Sequence, residues 1–292
     1  MAKRFLENVT YVPNWCSIAG ALQGATRFHG LEYDDTDVMG LSGHAFALDI
    51  APVPGQSFGA NREWVRGFPA RYVPLGLEFE GVTSTEAKTL HQAARKAIDR
   101  GSPALASGLF LPEFGLVAGY DDGAKQFAVS TQLDEQGRQH LGFDRWPDGP
   151  PRQVVWVNRR RGMNRRDAVE AALHQAAALA DAATAAYECW AAAMESGEPV
   201  VAANHAHLIQ VVHTSRFRAA AFAGRASAET GRDLSDVQEA YRAAGIELSR
   251  LGTLFPYPNG GEIDDEFLRA QAARVLRRVA ELEARAVQGL GG

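Results

Sequence analysis

Residues 14–22, Asn-Trp-Cys-Ser-Ile-Ala-Gly-Ala-Leu, place a cysteine where an apolar helix is predicted to begin. Asn14 is a competent N-cap, and the apolar residues from Ile18 to Ala25 recur at helical spacing. Cys16 is therefore predicted in the first helical turn, where the helix dipole and unpaired backbone N–H groups favour an anion. The thiolate is the form of cysteine that attacks acyl carbon, so this placement indicates a nucleophile. The alternative is a buried structural cysteine.

Composition places the chain among ordinary globular proteins. It has 292 residues, of which 46% are hydrophobic and 22% charged, enough for one large domain or two small ones. The net charge of -5 argues against nucleic acid as the main partner. Because no apolar run is long enough to span a bilayer and the N-terminus lacks the apolar core of a signal peptide, we expect a cytoplasmic protein without membrane contact. A disulfide between Cys16 and Cys189 is not expected in that compartment.

The first part of the chain has the pattern of a mixed α and β domain. Short apolar runs alternate with turn residues and predict strands over residues 44–50, 71–75, 114–120, 126–130 and 153–157. Two helices interrupt these strands, one after Cys16 and one from Thr85 to Arg100. Asp121-Asp122-Gly123 has the chemistry of a hairpin turn.

The character of the chain changes near residue 160. Beyond it the chain is alanine-rich, and four helices are predicted over residues 167–196, 200–224, 233–251 and 264–287. The sequence thus predicts the α+β class, with one domain over 1–160 and an all-helical domain over 161–292.

Three segments carry a resemblance to a known family. They are the helix that starts at Cys16, the stretch Gly-Ser-Pro-Ala-Leu-Ala from Gly101, and Glu-Phe-Gly-Leu-Val-Ala-Gly-Tyr-Asp-Asp over 113–122. Over about residues 8–135 the chain resembles the C39 branch of the papain-like cysteine peptidases. More narrowly, it resembles the N-terminal domain of the butirosin-biosynthesis acyltransferase (protein H) family, in which a helical region follows. The resemblance implies a papain-like fold and acyl chemistry at a thiol, either cleavage of a peptide bond or transfer of an acyl group to an amine.

One position departs from the family's pattern. Where C39-type peptidases have their catalytic histidine, this chain has Glu113. A carboxylate repels a thiolate and, being ionised near neutral pH, has no proton for a leaving amine. His44, which follows the small residues Gly40 and Gly43, is the predicted replacement base, with Glu113 orienting its imidazole. The alternative for His44 is a core histidine bonded to backbone.

The neighbours of Cys16 complete the predicted site. Asn14, Trp15 and Ser17 are expected to bind substrate or to donate hydrogen bonds to an oxyanion. For Asn14, the role of helix cap is already a sufficient structural explanation.

Polar residues of the helical region are expected to be structural. No metal site is predicted, because the histidines of the second long helix have no cysteine or carboxylate partner at the spacing of a zinc motif; they are His205, His207 and His213. Arg216 and Arg218 of the same helix are expected at the surface, the alternative being contact with a substrate carboxylate or phosphate.

These residues leave two classes of function open. The first is a cysteine-dependent acyltransferase or amide hydrolase that acts on a small molecule or short peptide, in the setting of natural-product biosynthesis. The second is a non-catalytic papain-like module that binds a peptide or a carrier protein. No cofactor is expected, since neither a phosphate-binding loop nor a dinucleotide fingerprint is present. An acyl carrier protein and a second copy of the chain are further candidate partners.

Overall fold

The computed structural model describes residues 2–48, 70–111, 113–133, 139–197 and 199–291. They belong to two compact units, each built from two stretches of chain. The first unit combines Met1–Val38 with Leu75–Gly162, and the second combines Met39–Pro74 with Met163–Gly292. The protein is of the mixed α and β class, with an antiparallel sheet and a helical C-terminal region, as the sequence predicts at that level.

The first unit is built on an antiparallel sheet. Its described strands are β1 Lys3–Phe5, β2 Leu77–Ser84, β3 Ala104–Ser107, β4 Phe114–Asp121, β5 Gln126–Ser130, β6 Gln139–Gly142 and β7 Arg152–Arg160. Neighbours follow the order β2-β7-β3-β4-β5-β6, and β1 pairs with β4. Strands β4, β5 and β7 confirm three of the predicted ones. The predicted turn after β4 is also confirmed, because Asp121 Oδ1 accepts hydrogen bonds from Gly123 N at 2.9 Å and Ala124 N at 3.0 Å.

Among the described residues before Gly101, three α-helices are found: α1 Ser17–Phe28 and α2 Asp35–Leu41, which precede β2, and α3 Ala87–Asp99, which lies between β2 and β3 in the chain. Helix α3 confirms the helix predicted over 85–100, and it buries Leu90, Ala94 and Ile98 in the core of the first unit. Its opposite side is charged, with Lys96 bound to Glu80 of β2. An apolar stripe on one side and charge on the other explains why this stretch is helical and lies on the sheet.

A glycine lets an extended segment lie directly on α1. A Cβ on Gly20 would stand 2.3 Å from Val12 O, so only glycine permits this approach. Val12 N donates a hydrogen bond to Gly20 O at 3.4 Å, and Tyr11 N donates one to Ser130 Oγ at 2.8 Å. The segment around Tyr11 is therefore held between α1 and the end of β5.

Two of the predicted strands are wrong where the structure describes them. Of the strand predicted over 44–50, residues 44–46 lie in turns after α2, and residues 49 and 50 fall outside the described residues. Residues 71–75 lie in the 3-10 helix Ala70–Leu75. Gly43 has a φ of 76°, which ends the regular structure, and Pro74 has no N–H for a sheet ladder. Strand β2 is missing from the prediction, although Leu-Glu-Phe-Glu at its start alternates apolar and polar residues.

The second unit contains the four predicted long helices, and the structure confirms them with shifted ends. They are α4 Arg165–Glu195, α5 Ala202–Thr230, α6 Ser235–Leu254 and α7 Glu266–Leu290. Their buried faces form a core rich in alanine, leucine and aromatic residues. Within the described residues, no helix is both long and apolar enough to cross a membrane.

Residues 39–48 belong to the second unit, whereas a division at residue 160 places them in the first. The ring of Phe46 packs edge-on against Phe222 and Tyr241, with ring centroids 6.1 and 5.5 Å apart. A Cβ on Gly40 would stand only 2.0 Å from the Phe222 ring, so this glycine permits the close contact. The change in composition near residue 160 cannot predict this assignment, because the assignment depends on packing between residues that are distant in sequence.

Candidate functional site

The structure confirms the predicted position of Cys16 at a helix start. Cys16 is the N-cap of α1, with φ -88° and ψ 95°, and its carbonyl accepts hydrogen bonds from Ala19 N at 2.9 Å and Gly20 N at 3.1 Å. An N-cap residue stands beside the unpaired N–H groups of the first turn, where positive potential favours a thiolate. Only 1% of the Cys16 surface is exposed.

Asn14 holds Cys16 from outside the helix. Its Oδ1 accepts a hydrogen bond from Cys16 N at 2.8 Å, and its Nδ2 donates one to Asp35 Oδ1 at 2.5 Å. The prediction that Asn14 is the helix cap is therefore wrong. An asparagine side chain bonds readily to the N–H two residues ahead, and here that bond makes Cys16 the cap. The role of Asn14 as an oxyanion donor stays a prediction.

Ser17 connects the start of α1 to the start of β4. Its Oγ accepts a hydrogen bond from Phe114 N at 3.1 Å, and the side chain is buried. Glu113 immediately precedes Phe114, so this bond brings the backbone beside Glu113 to the helix end that carries Cys16. Trp15, in contrast, is 40% exposed.

Tyr11 shares its surroundings with Cys16 and Glu113. Burial raises the pKa of Tyr11 well above its usual range, and negative charge on Cys16 and on Glu113 raises it further. The ring reaches α1, because a Cβ on Gly20 would stand 2.6 Å from Tyr11 Oη. Tyr11 therefore lies within electrostatic range of Cys16 and Glu113. Sequence reasoning missed Tyr11, and the available signal was Gly20 inside an apolar helix, since such glycines mark close approach of another segment.

An open groove adjoins this end of α1. The groove is shallow, since its volume of about 210 Å³ includes open solvent. It is lined by Phe110, Leu111, Glu113, Phe114, Gly115, Thr131, Gln132 and Leu133. Three of its large apolar side chains are 41–45% exposed, namely Phe110, Leu111 and Leu133. Exposed apolar side chains around a concave surface are typical of a site that binds an apolar group.

His44 belongs to the second unit and is completely buried. Its Nε2 lies 2.9 Å from Tyr72 Oη. Burial lowers the pKa of His44 well below its usual range, and Arg71 lowers it further, so the imidazole is neutral at physiological pH. A neutral imidazole can accept a proton, but the strongly lowered pKa makes His44 a weak base, and complete burial is typical of a core histidine.

The backbone on both sides of His44 is held by two arginines. Arg71 donates from Nε to Ser42 O at 3.1 Å and from Nη2 to Gly43 O at 3.3 Å. Arg216 donates from Nη1 to Ala45 O at 3.0 Å. Both arginines are buried, so their hydrogen bonds are not shared with solvent and fix the conformation of this turn.

The prediction that Arg216 lies at the surface is wrong. Arg216 is completely buried on α5, where its Nε is paired with the equally buried Glu283 of α7, and its guanidinium lies 5.5 Å from the centre of the Tyr187 ring. Burial disfavours the charge, but Glu283 raises the pKa of Arg216, so the guanidinium stays protonated. An isolated arginine in a helical pattern does not reveal a buried partner 67 residues away.

The histidines of α5 have structural partners. His205 is buried, accepts a hydrogen bond at Nδ1 from Trp190 Nε1 at 3.3 Å, and has its pKa lowered to about 3 by burial and by Arg269. His213 Nε2 lies 2.8 Å from Ser249 Oγ. Within the described ranges, no three side chains of histidine, cysteine, aspartate or glutamate are grouped as metal ligands would be.

Comparison with protein-family models and with curated protein sequences gives no match for this chain. The papain-like interpretation therefore stays a prediction that depends on the residues themselves.

Proposed function

We propose that the chain is a papain-like, C39-like cysteine enzyme that transfers or hydrolyses acyl groups through a thioester at Cys16. The observation that carries this proposal is the position of Cys16. It caps α1 at the end where Ser17 is bonded to Phe114, and Phe114 lines the open apolar groove. A thiol at a helix N-terminus beside a groove that fits an apolar group is suited to acyl chemistry.

In the proposed reaction, the Cys16 thiolate attacks the carbonyl carbon of an ester, thioester or amide. The C–S bond forms, the bond to the leaving group breaks, and the leaving group takes the proton that the Cys16 thiol gave up to a general base. An amine in transfer, or water in hydrolysis, then attacks the thioester, the C–S bond breaks, and the proton of the amine or water returns to the Cys16 sulfur. Asn14 and Ser17 hold the reacting end of α1 through their hydrogen bonds, and the groove holds the apolar part of the acyl group.

The substrate class follows from the groove and from the family resemblance. We infer a small molecule or short peptide of a natural-product pathway in the cytoplasm, with an acyl carrier protein as the donor in the transfer version of the reaction. The groove supports an acyl group with an apolar side chain, because Phe110, Leu111 and Leu133 are exposed there. The chemistry requires no cofactor.

Replacement of Cys16 by serine tests the proposal. We expect p-nitrophenyl acetate to add an acetyl group to the wild-type chain, measured by intact-protein mass spectrometry and assigned to Cys16 by peptide mapping. The Cys16→Ser variant is expected to lose this adduct, because a serine hydroxyl is not ionised near neutral pH. Cys189→Ser is the matched control, since Cys189 is an exposed free thiol on α4. Acetylation of Cys189 and not of Cys16 would contradict the proposal.

Two observations favour the non-catalytic module as a second candidate. Cys16 is almost completely buried, and Glu113 stands where the family has its catalytic histidine. In that case the groove binds a peptide or carrier protein without turning it over. The acetylation experiment separates the candidates, because a binding module with an inert thiol neither forms acetyl-Cys16 nor releases p-nitrophenolate faster than its Cys16→Ser variant, whereas an enzyme does at least one of the two.

A further inference from the structure

Tyr11 has a buried hydroxyl group without a hydrogen-bond partner among the described residues. Only 4% of the Tyr11 surface is exposed, and within the described residues its Oη has no hydrogen-bond partner. Most buried polar side-chain atoms in proteins have such a partner, because burying a hydroxyl without one destabilises the fold. The unpaired hydroxyl lies against the helix that Cys16 caps, and it can donate a hydrogen bond to a ligand atom there.

The position of the Tyr11 ring is fixed by the first unit itself. Its backbone N–H is bonded to Ser130 Oγ at 2.8 Å, and the hydroxyl end of the ring lies against Gly20 of α1. Cys16 caps the same helix one turn earlier. A donor that is held in place before the substrate arrives is what stabilisation of a transition state requires.

The electrostatics keep the proton on the Tyr11 hydroxyl. Burial and the negative charges of Cys16 and Glu113 all raise the pKa of Tyr11, so the group stays a neutral donor over the whole physiological range. A protonated tyrosine does not repel the thiolate. Its hydrogen bond to a substrate oxygen becomes stronger as negative charge develops on that oxygen.

We propose that Tyr11 Oη donates a hydrogen bond to the oxyanion formed when the Cys16 thiolate attacks an acyl group. This inference rests on the proposed function. As the C–S bond forms, the electron pair of the carbonyl π bond moves to oxygen, and Tyr11 stabilises that charge. When the pair returns, the bond to the leaving group breaks; with p-nitrophenyl acetate, p-nitrophenolate departs and acetyl-Cys16 remains.

Tyr11→Phe is the sharpest variant, because it removes only the hydroxyl and leaves the ring packing. In the Cys189→Ser background, we expect the acetylation rate of Cys16 by p-nitrophenyl acetate to fall by about 10²–10³-fold, the usual effect of losing one oxyanion donor. The rate of alkylation by iodoacetamide is expected to change less than about twofold, because displacement at a saturated carbon forms no oxyanion. The urea midpoint is expected to stay the same or rise, since an unpaired buried hydroxyl is removed.

Tyr241→Phe is the matched control. Tyr241 is fully buried in the second unit, and its hydroxyl also has no partner within the described residues. This variant is expected to change neither acetylation nor alkylation. If the acetylation and alkylation rates of Cys16 fall equally in Tyr11→Phe, Tyr11 has only a structural role and the inference is wrong. Unchanged acetylation in Tyr11→Phe would also overturn the inference. Absence of both acetyl-Cys16 and p-nitrophenolate release in the wild-type chain would instead overturn the proposed function, because rapid hydrolysis removes the acetyl group but still releases p-nitrophenolate.

Discussion

Truncation of Arg216 to alanine is expected to lower the free energy of unfolding of the second unit by about 3–5 kcal/mol. The change leaves Glu283 as a completely buried carboxylate without its partner. It also removes the hydrogen bonds from Arg216 to Ala45 O at 3.0 Å and Ala47 O at 3.5 Å. Urea denaturation followed by circular dichroism measures the loss.

Two controls distinguish this effect from a general loss of charge. Arg277→Ala removes the exposed ion pair with Glu195 and is expected to change stability little. The double variant Arg216→Met/Glu283→Leu removes both buried charges and is expected to lose less stability than Arg216→Ala, because no uncompensated charge remains. Equal losses in the single and double variants would contradict this explanation of the pair.

His44→Ala is expected to slow acetylation of Cys16 by about 10²–10⁴-fold, the usual contribution of a general base. This expectation follows from the sequence-based prediction of His44 as the base. In the structure, Nε2 of the imidazole lies 2.9 Å from Tyr72 Oη, and the backbone carbonyls on both sides of His44 accept hydrogen bonds from arginines. A turn fixed in this way suits a residue that must keep one orientation.

The matched control is His205→Asn, which alters another buried histidine and keeps an acceptor for Trp190 Nε1. It is expected to leave acetylation unchanged. Circular dichroism must show that His44→Ala is folded, and His44→Gln, which keeps a polar side chain, provides a second test. Normal acetylation in folded His44→Ala would make His44 a core histidine.

Local pattern was sufficient for much of the fold. The long alanine-rich helices and α3 follow from helical spacing and from residues that stop helices, and β4, β5 and β7 follow from apolar runs between turns. The position of Cys16 at a helix start follows from the same pattern. These features depend on interactions between residues close in sequence, which a single sequence records directly.

The features that sequence reasoning missed depend on contacts between distant residues. Phe46 packs on Phe222 and Tyr241, and this packing puts residues 39–48 in the second unit instead of in a strand of the first. The prediction of a surface position for Arg216 fails because nothing near it in the chain indicates Glu283. The electrostatic interaction of Tyr11 with Glu113 is likewise absent from the local sequence, because it depends on the bond between the start of β4 and the start of α1.

The reactivity of Cys16 toward iodoacetamide, compared with that of Cys189 in the same chain, tests the central claim most directly. Cys189 is exposed and Cys16 is almost completely buried, so access alone favours Cys189. At about pH 6.5 an ordinary thiol is only about 1% ionised, so a thiolate stabilised at a helix start has a large advantage. We expect Cys16 to be alkylated at least about ten times faster than Cys189, measured by peptide mapping over time. Rapid labelling of Cys189, with Cys16 labelled only after unfolding in urea, would contradict the claim that Cys16 is a nucleophile.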